Sequence, residues 1–166
     1  MTNYPAYPNK QDGTPGKAIG FTLIELIVVI TIVGILAAAG LPAFRNLMLS
    51  QRVKTASFDL VAALTQTRSD AIKRNADVSM TAAGAWKDGW TIASGATTIG
   101  VKSAYSGLTI TEKNSATLVT FRGDGRLSTA AVYLTVDDNQ SNTSVTPRCI
   151  SLSLSGQASS SLGVCP

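Results

Sequence analysis

The chain has 166 residues, of which 14% are charged, and it carries a formal net charge of +4. It contains no histidine, which removes the commonest general base and the commonest transition-metal ligand. The positive charge is too small and too scattered for the basic stripe of a dedicated nucleic-acid-binding protein. Composition therefore excludes histidine-dependent catalysis, and we expect neither a metal site nor a cofactor.

The N-terminal part of the chain changes abruptly from polar to apolar. Residues 1–20 are rich in Asn, Pro, Gly and Gln without periodicity, and we expect a leader that is disordered before its removal. From Phe21 to Phe44 the single ionisable side chain is Glu25. This run of about 24 residues can cross a hydrocarbon core of about 30 Å as a helix. A carboxylate there costs about 2.5–3.5 kcal/mol on insertion scales, so Glu25 needs a partner.

Three kinds of N-terminal segment fit this pattern. A secretory signal peptide would use Lys10 and Lys17 as its basic region and the small residues 37–39 as its cleavage site. A plain membrane anchor would keep the whole segment. A prepilin signal would be cut before the apolar run, between Gly20 and Phe21.

The residues Gly20-Phe21-Thr22-Leu23-Ile24-Glu25 closely resemble the start of the mature chain in the type IV pilin and pseudopilin family. The resemblance implies cleavage between Gly20 and Phe21, and N-methylation of Phe21, by a prepilin peptidase. It also implies that the α-amino group of Phe21 in one subunit pairs with Glu25 of a neighbour during assembly. Such a pair would neutralise two charges that are costly in apolar surroundings. The spacing equally allows Glu25 to lie near its own amine, one helical turn away.

Basic residues at the two ends of the apolar run give a conflicting signal about orientation. Two lysines precede the run, whereas Arg45, Arg52 and Lys54 follow it. The positive-inside rule would therefore place the following segment in the cytoplasm. The family resemblance implies the opposite arrangement, a single pass through the bacterial inner membrane with the head in the periplasm and later incorporation into a pilus or pseudopilus. We follow the cleavage motif and the cysteines.

Helical periodicity continues beyond the apolar run. Apolar residues recur at steps of three and four between Leu49 and Ala71, with polar residues at the other positions. We predict one helix that ends near Asn75. Its residues 21–45 would form a transmembrane and assembly half, and residues 46–75 an amphipathic half. Pro42 should bend it, because an interior proline removes a backbone hydrogen bond.

From residue 76 to residue 166 the pattern predicts a β-rich head. The predicted strands are Val78–Ala82, Thr97–Lys102, Leu108–Glu112, Thr117–Arg122, Ala131–Val136, Cys149–Leu154 and Ser160–Val164. The segment from Trp86 to Trp90 is predicted to be a hairpin turn, and Gly123-Asp124-Gly125 a second tight turn. The side chains predicted to pack the head on the helix are Trp86, Trp90, Phe121, Tyr133 and Leu152. The predicted fold is α+β and type IV pilin-like, a long N-terminal helix packed on an antiparallel β head.

The two cysteines, Cys149 and Cys165, are predicted to form a disulfide at the end of the head. An even pair in an exported domain is read in this way. Closing a loop of about 15 residues stabilises a fold by roughly 3 kcal/mol in the chain-entropy model. A metal site is the weaker interpretation, because two thiols without a histidine supply too few ligands.

Later stretches are similar to the FimT, FimU and GspH group of minor pilins. These stretches are Gln66–Asn75, Trp86–Trp90, Phe121–Leu127 and Arg148–Leu152. The resemblance implies a minor pilin that takes part in initiation or in the tip complex of a type IV pilus. Its implied partners are other pilins or pseudopilins through the helix, the prepilin peptidase and the inner membrane. The main alternative is a minor pseudopilin of a type II secretion system, and a third class is a cleaved, secreted β-rich adhesin.

Enzymatic and calcium-binding interpretations are weaker. Asp124, Asp137 and Asp138 fall in predicted turns, where aspartate is favoured for local backbone hydrogen bonds. No serine has a nucleophile-elbow setting, so we expect no enzymatic activity. The segment 137–142 offers several oxygen ligands for calcium but lacks EF-hand spacing, and a solvated loop is favoured.

Some FimT-like pilins bind DNA through a Gly-Arg-x-Arg stretch in the C-terminal loop. The corresponding loop here carries Gln157 and Ser159 in place of the two arginines. Arg122, Arg126 and Arg148 could form a small positive patch, but three arginines give weak and strongly salt-dependent phosphate binding. DNA is therefore a less favoured partner, and solvated arginines are the better interpretation.

Overall fold

The computed structural model describes residues 20–140 and 142–166, apart from the side chain of residue 39. Residues 1–19, nearly all of the predicted leader, lie outside the described residues, as does Ser141 of the segment considered for calcium. The chain divides into two compact units, one up to Ala39 and the other Gly40–Pro166.

Helix α1 spans Leu23–Arg74, and Pro42 lies inside it. Phe21 and the first turns of α1 expose their large apolar side chains on all sides, each between 45% and 80% exposed as far as Leu36. Among the described residues, α1 is the helix whose length and composition suffice to cross a membrane. An apolar segment with this exposure needs lipid or other helices to cover it.

The C-terminal end of α1 is set by Asn75. Its φ of 48° is left-handed, a conformation that asparagine tolerates better than most residues. The N–H of Ala76 then donates to the carbonyl of Ala71, and the N–H of Asn75 to that of Ile72, both at 3.2 Å. This is a Schellman motif, and it confirms the predicted stop at Asn75.

Eight strands form two antiparallel sheets in the second unit. They are β1 (Val78–Ala82), β2 (Gly89–Ser94), β3 (Thr97–Ser103), β4 (Leu108–Glu112), β5 (Leu118–Phe121), β6 (Val132–Asp138), β7 (Arg148–Leu152) and β8 (Ala158–Leu162). One sheet has the order β3-β2-β1-β5 and the other β4-β6-β7-β8. The predicted α+β architecture is confirmed.

One side of α1 packs against both sheets. The apolar stripe predicted along the helix is confirmed, since Val53, Leu60 and Leu64 are at most 1% exposed. The same face also buries two hydroxyls that the apolar pattern did not identify. Ser57 donates to the carbonyl of Val53 and Thr67 to that of Ala63, each at 2.7 Å, so neither buried hydroxyl is left unpaired.

Strand β2 was not predicted, because the segment that starts it was interpreted as a hairpin turn. Residues Trp86–Asp88 form a short 3₁₀ helix, and the chain enters β2 at Gly89. Gly89 has a φ of +97°, and a Cβ there would collide with the carbonyl of Lys102. Glycine is therefore required where β2 meets β3.

Four of the five side chains predicted to join the core do so, and Tyr133 does not. Trp86, Trp90, Phe121 and Leu152 are at most 3% exposed. In β6, however, the residues that alternate inward are Val132, Leu134 and Val136, so Tyr133 points to the opposite face and is half-buried. The ammonium group of Lys113 lies over its ring, 5.8 Å from the centroid, in a cation–π contact.

A polar cluster attaches the edge strand β3 to α1. The Oδ2 atom of Asp59 accepts hydrogen bonds from Nζ of Lys102 at 2.7 Å and from the hydroxyl of Tyr105 at 2.9 Å. The ring of Tyr105 lies 5.9 Å from that of Trp90. Burial, reinforced by the hydrogen bond to Asp59, raises the pKa of Tyr105.

The helix–sheet contact predicts a large difference between two leucine truncations. Leu64→Ala should lower the free energy of unfolding by about 2–5 kcal/mol, because Leu64 is fully buried in the core. Leu154→Ala is the matched control, since Leu154 is 54% exposed, and it should change stability by no more than about 0.5 kcal/mol. Urea unfolding of the full chain in detergent, followed by the fluorescence of Trp86 and Trp90, measures both. Equal effects of the two variants would contradict the packing described.

The Asp59 cluster predicts how Tyr105 titrates. Its phenol should ionise above the ordinary pH of about 10, and Asp59→Asn should move that step to lower pH by removing the adjacent negative charge. Near-ultraviolet absorbance of phenolate measures the step, and Tyr105→Phe identifies it by abolishing it. Asp77→Asn, at an exposed position outside the cluster, should leave the step unchanged. An unchanged step in Asp59→Asn would rule out the coupling.

Candidate functional site

The motif at the start of the apolar run lies just outside the helix. Gly20 and Phe21 precede the first helical residue, Leu23, and both are exposed. The Gly20–Phe21 peptide bond is therefore in non-helical backbone. Phe21 is 80% exposed, so its ring is not held by contacts within the chain.

Glu25 caps the first turn of α1 together with Thr22. The Oε2 atom of Glu25 accepts the backbone N–H of Thr22 at 3.2 Å, and the N–H of Glu25 donates to Oγ1 of Thr22 at 3.3 Å. These reciprocal bonds form a capping box. The sequence analysis did not assign this role to Thr22, although the Thr-x-x-Glu spacing signals it.

The capping box satisfies hydrogen bonds but leaves the charge of Glu25 uncompensated. From Phe21 to Phe44 there is no basic side chain that could neutralise it. The carboxylate is exposed at the N-terminal end of α1, where the helix dipole favours a negative charge. Glu25 is thus locally oriented and available to a cation from outside its own helix.

Cys149 and Cys165 form the predicted disulfide. Cys149 lies in β7 and is 3% exposed, and the N–H of Cys165 donates to Oγ1 of Thr135 in β6 at 3.1 Å. The segment that follows β8 is therefore attached to two strands of the second sheet.

Two of the three arginines considered for DNA lie close together. The N–H of Arg122 donates to the carbonyl of Arg126 at 2.9 Å, across the turn that contains Asp124. Nη2 of Arg122 lies 2.6 Å from Oδ2 of Asp124. The N–H of Arg126 and the guanidinium of Arg122 hold the pKa of Asp124 below its ordinary value. The charge of Arg122 is thus partly neutralised by Asp124 within its own turn.

Arg148 lies elsewhere on the head. Its guanidinium is 5.7 Å from the ring centroid of Phe58, and Nη1 donates to the hydroxyl of Ser160 at 3.4 Å. The turn containing Asp124 contacts α1 at Arg68, ten residues beyond Phe58, or about 15 Å along a helix. The structure therefore brings Arg122 and Arg126 together and places Arg148 beside a different part of α1.

Arg68 has a positioning role that the sequence analysis did not identify. Its Nε donates to the carbonyl of Gly125 at 2.9 Å, and its side chain also lies against Gly156. One helical arginine thus holds two turns of the head. Sequence reasoning had only the family-like stretch 66–75 as a signal, which did not indicate this contact.

In the segment considered for calcium, the two acids serve the backbone. Asp138 is 3% exposed, and its carboxylate accepts the N–H groups of Gln140 at 3.1 Å and Asn142 at 3.0 Å. Oδ1 of Asp137 accepts the N–H of Asp138 at 2.8 Å. Strand β6 extends to Asp138 and not only to the predicted Val136, so both acids lie at the end of a strand and not in a turn, and their hydrogen bonds give the carboxylates a structural role where the strand meets its loop.

Two family models match the chain. The model of the Type II transport protein GspH matches residues 56–156, which include the C-terminal third of α1 and most of the head. The model of the prokaryotic N-terminal methylation motif matches residues 17–41, which include Gly20, Phe21 and Glu25.

Two curated proteins are similar to short parts of the chain. The type IV major alpha-pilin of Moraxella bovis is 48% identical over 46 residues, which are 28% of this chain and 29% of that protein. The fimbrial protein EcpB of Eikenella corrodens is 42% identical over 53 residues, 32% of this chain and 33% of that protein. Each match thus spans about a third of the relative's length.

Solved structures resemble most of the chain. The type IV minor pilin FimU of Pseudomonas aeruginosa matches in two crystal forms. One is 26% identical with a TM-score of 0.57, over 65% of this chain and 91% of FimU. The other is 25% identical with a TM-score of 0.59, over 70% of this chain and 90% of FimU.

The minor pseudopilin EpsH of the type 2 secretion system of Vibrio cholerae has the same fold. It is 10% identical with a TM-score of 0.54, over 67% of this chain and 97% of EpsH. The motif at Phe21, the helix that packs on two antiparallel sheets and the match over residues 56–156 agree with one another. The chain belongs to the GspH family of type IV pilin and pseudopilin proteins.

Proposed function

We propose that this protein is a minor pilin that takes part in type IV pilus assembly, in the initiation or tip complex. The observation that carries the proposal is the combination, in one chain, of the methylation motif with a head similar to FimU. The role is structural: the subunit contributes an apolar helix to a bundle of like helices and a head to the surface of the filament.

The proposed life cycle begins in the inner membrane, with the head in the periplasm. A prepilin peptidase cuts between Gly20 and Phe21 and methylates the new amine. Exposure of the large apolar side chains from Phe21 to Leu36 supports this step, because such a surface must be covered first by lipid and then by other helices. Other pilins are the proposed partners through this helix.

Glu25 is proposed to pair with the Phe21 amine of a neighbouring subunit. Its capping box orients the carboxylate but supplies no positive charge. The amine that cleavage creates is a cation, and each group is costly in apolar surroundings when alone. Pairing between subunits would remove both costs when the filament forms.

A minor pseudopilin of a type II secretion system is the second candidate. The match of residues 56–156 to the GspH model favours it, since that model is described as a type II transport protein. The identity of 26% to FimU against 10% to EpsH supports the pilus instead. Both candidates use the same helix and the same kind of head.

Processing gives the first test. The protein purified from its native host should begin at Phe21 with one methyl group on its amine, as intact-mass and N-terminal fragment spectra would show. A chain that begins at Gly40 would instead indicate a secreted domain, and retained Met1 a plain anchor.

Deletion of the gene separates the two candidates. Loss of surface pili supports the minor pilin, and loss of protein export with normal pili supports the pseudopilin.

The proposed pairing predicts different outcomes for charge and for capping. Glu25→Gln keeps a side chain that can complete a capping box but removes the charge, so incorporation into filaments should fall at least tenfold. Thr22→Ala removes the hydroxyl of the box and keeps the charge, so incorporation should stay near wild type. Immunoblots of sheared filaments measure incorporation, normalised to processed protein in the membrane. Normal incorporation of Glu25→Gln would refute the pairing.

A further inference from the structure

A pocket of about 750 Å³ lies beside α1 just after the apolar run ends. Its apolar wall comes from the helix, chiefly Leu41, Phe44 and Met48. Arg45 and Arg52 belong to its lining on the same helix. The opposite wall is formed by Gly107 and the loop that follows β6. We refer to it as the arginine pocket.

Arg52 lies against backbone of the head. Its Nη1 atom is 3.3 Å from the position that a Cβ on Gly107 would occupy. Gly107 has a φ of +74°, and its carbonyl accepts the N–H of Asn139 at 3.3 Å. The guanidinium therefore lies beside a glycine and an already bonded carbonyl. Arg45 is seven residues earlier, two turns away on the same helix face.

The arginine pocket offers positive charge that the described residues do not neutralise. The ion pairs found among them involve Lys87, Lys102 and Arg122, and neither Arg45 nor Arg52 takes part. Asp137 and Asp138 end strand β6 just before this loop, and the carboxylate of Asp138 is buried and bonded to backbone N–H groups. No acidic side chain lines the pocket within the described part of the chain.

An amide adds a further donor to this site. Nδ2 of Asn142 donates to Oδ1 of Asn46 at 2.7 Å, which joins the loop to the helix and leaves the Nδ2 group of Asn46 to donate elsewhere. Two guanidinium groups and an amide beside an apolar wall suit an anion with an apolar part. Arginine matches the oxygens of phosphates and of carboxylates through paired N–H groups, so a phosphate ester is among the anions that suit the pocket.

The position of the arginine pocket in the chain indicates which phosphate is available. The 22 helical residues from Leu23 to Phe44 rise about 33 Å, slightly more than a hydrocarbon core of about 30 Å. Arg45 follows directly, so it falls at the level of the lipid headgroups when the helix spans the membrane, and Arg52 lies seven residues, or about 10 Å, further along the same face of the helix. This step rests on the proposed function, which places the helix there.

We propose that the arginine pocket binds the phosphate headgroup of an anionic membrane phospholipid while the subunit waits in the membrane. Arg45 and Arg52 donate to the phosphate oxygens, and the apolar wall contacts the glycerol and upper acyl chains. Lipid binding would explain why Arg45 and Arg52 follow the membrane-spanning segment on its periplasmic side, where the positive-inside rule does not expect basic residues. The lipid leaves when the subunit enters the filament, so it competes with assembly.

The test uses the processed full chain in detergent micelles, titrated with phosphatidylglycerol and followed by native mass spectrometry. The double variant Arg45→Gln/Arg52→Gln should bind the lipid about thirtyfold more weakly, as expected for the loss of two charges near a lipid phosphate. Arg45→Lys/Arg52→Lys keeps the two charges without the planar guanidinium groups. Its affinity for the lipid should lie between that of the wild type and that of the glutamine variant. Lys73→Gln/Arg74→Gln removes two charges at the exposed far end of α1 and should bind like wild type.

Each alternative outcome overturns the proposal or its basis. Unchanged binding of the Arg45/Arg52 glutamine variant would exclude the arginine pocket as the lipid site. Displacement of the lipid by inorganic phosphate at equal concentration would assign the site to free phosphate. Circular dichroism and the intact Cys149–Cys165 disulfide verify folding of every variant. Intact lipid binding by a chain that keeps its leader in the native host would refute the proposed function and leave the site in place.

Discussion

The structure depends on one helix that must satisfy two different surroundings. Up to Phe44 the helix is apolar on all sides and exposed within the subunit, so its stability needs lipid or neighbouring helices. From Leu49 to Ala71 it is apolar on one side, and that side is covered by both sheets of the head. The change from an apolar surface on all sides of the helix to an apolar surface on one side marks where the head starts to pack on it.

The buried face of α1 contains polar side chains as well as apolar ones. The two hydroxyls of Ser57 and Thr67 lie in the same fully buried face as Leu60, and each is satisfied by the carbonyl one turn earlier. At the edges of this face, Asp59 holds the edge strand β3 and Arg68 holds two turns. Apolar burial therefore supplies the bulk of the attachment, and a few directed polar contacts select the register between helix and head.

Sequence reasoning succeeded where a pattern is local and failed where a contact is distant. The helix, its stop at Asn75 and seven of the strands follow from periodicity and from one residue that tolerates a left-handed backbone. Strand β2 was missed because glycine and tryptophan in the segment 86–90 resemble a turn, and the need for Gly89 arises from a neighbouring strand. Tyr133 was assigned inward because aromatic character was weighed above the alternation of β6.

The same distinction applies to the candidate site. Gly20, Phe21 and Glu25 were identified from the motif, and the match to the methylation model includes them. The separation of Arg148 from Arg122 and Arg126 depends on how strands pair across the head, which no short pattern encodes. The contact between Arg52 and Gly107 likewise joins residues 55 positions apart, so spacing alone could not suggest the arginine pocket.

The capping box at Thr22 has a consequence for proteolysis. A defined first turn prevents α1 from extending backwards, so the scissile bond proposed between Gly20 and Phe21 stays in open backbone. Exposed non-helical segments are those that proteases cut most readily. In the function proposed above, the carboxylate of Glu25 would first help to keep the scissile bond accessible and would later pair with a neighbouring subunit, so maturation and polymerisation would depend in turn on one side chain.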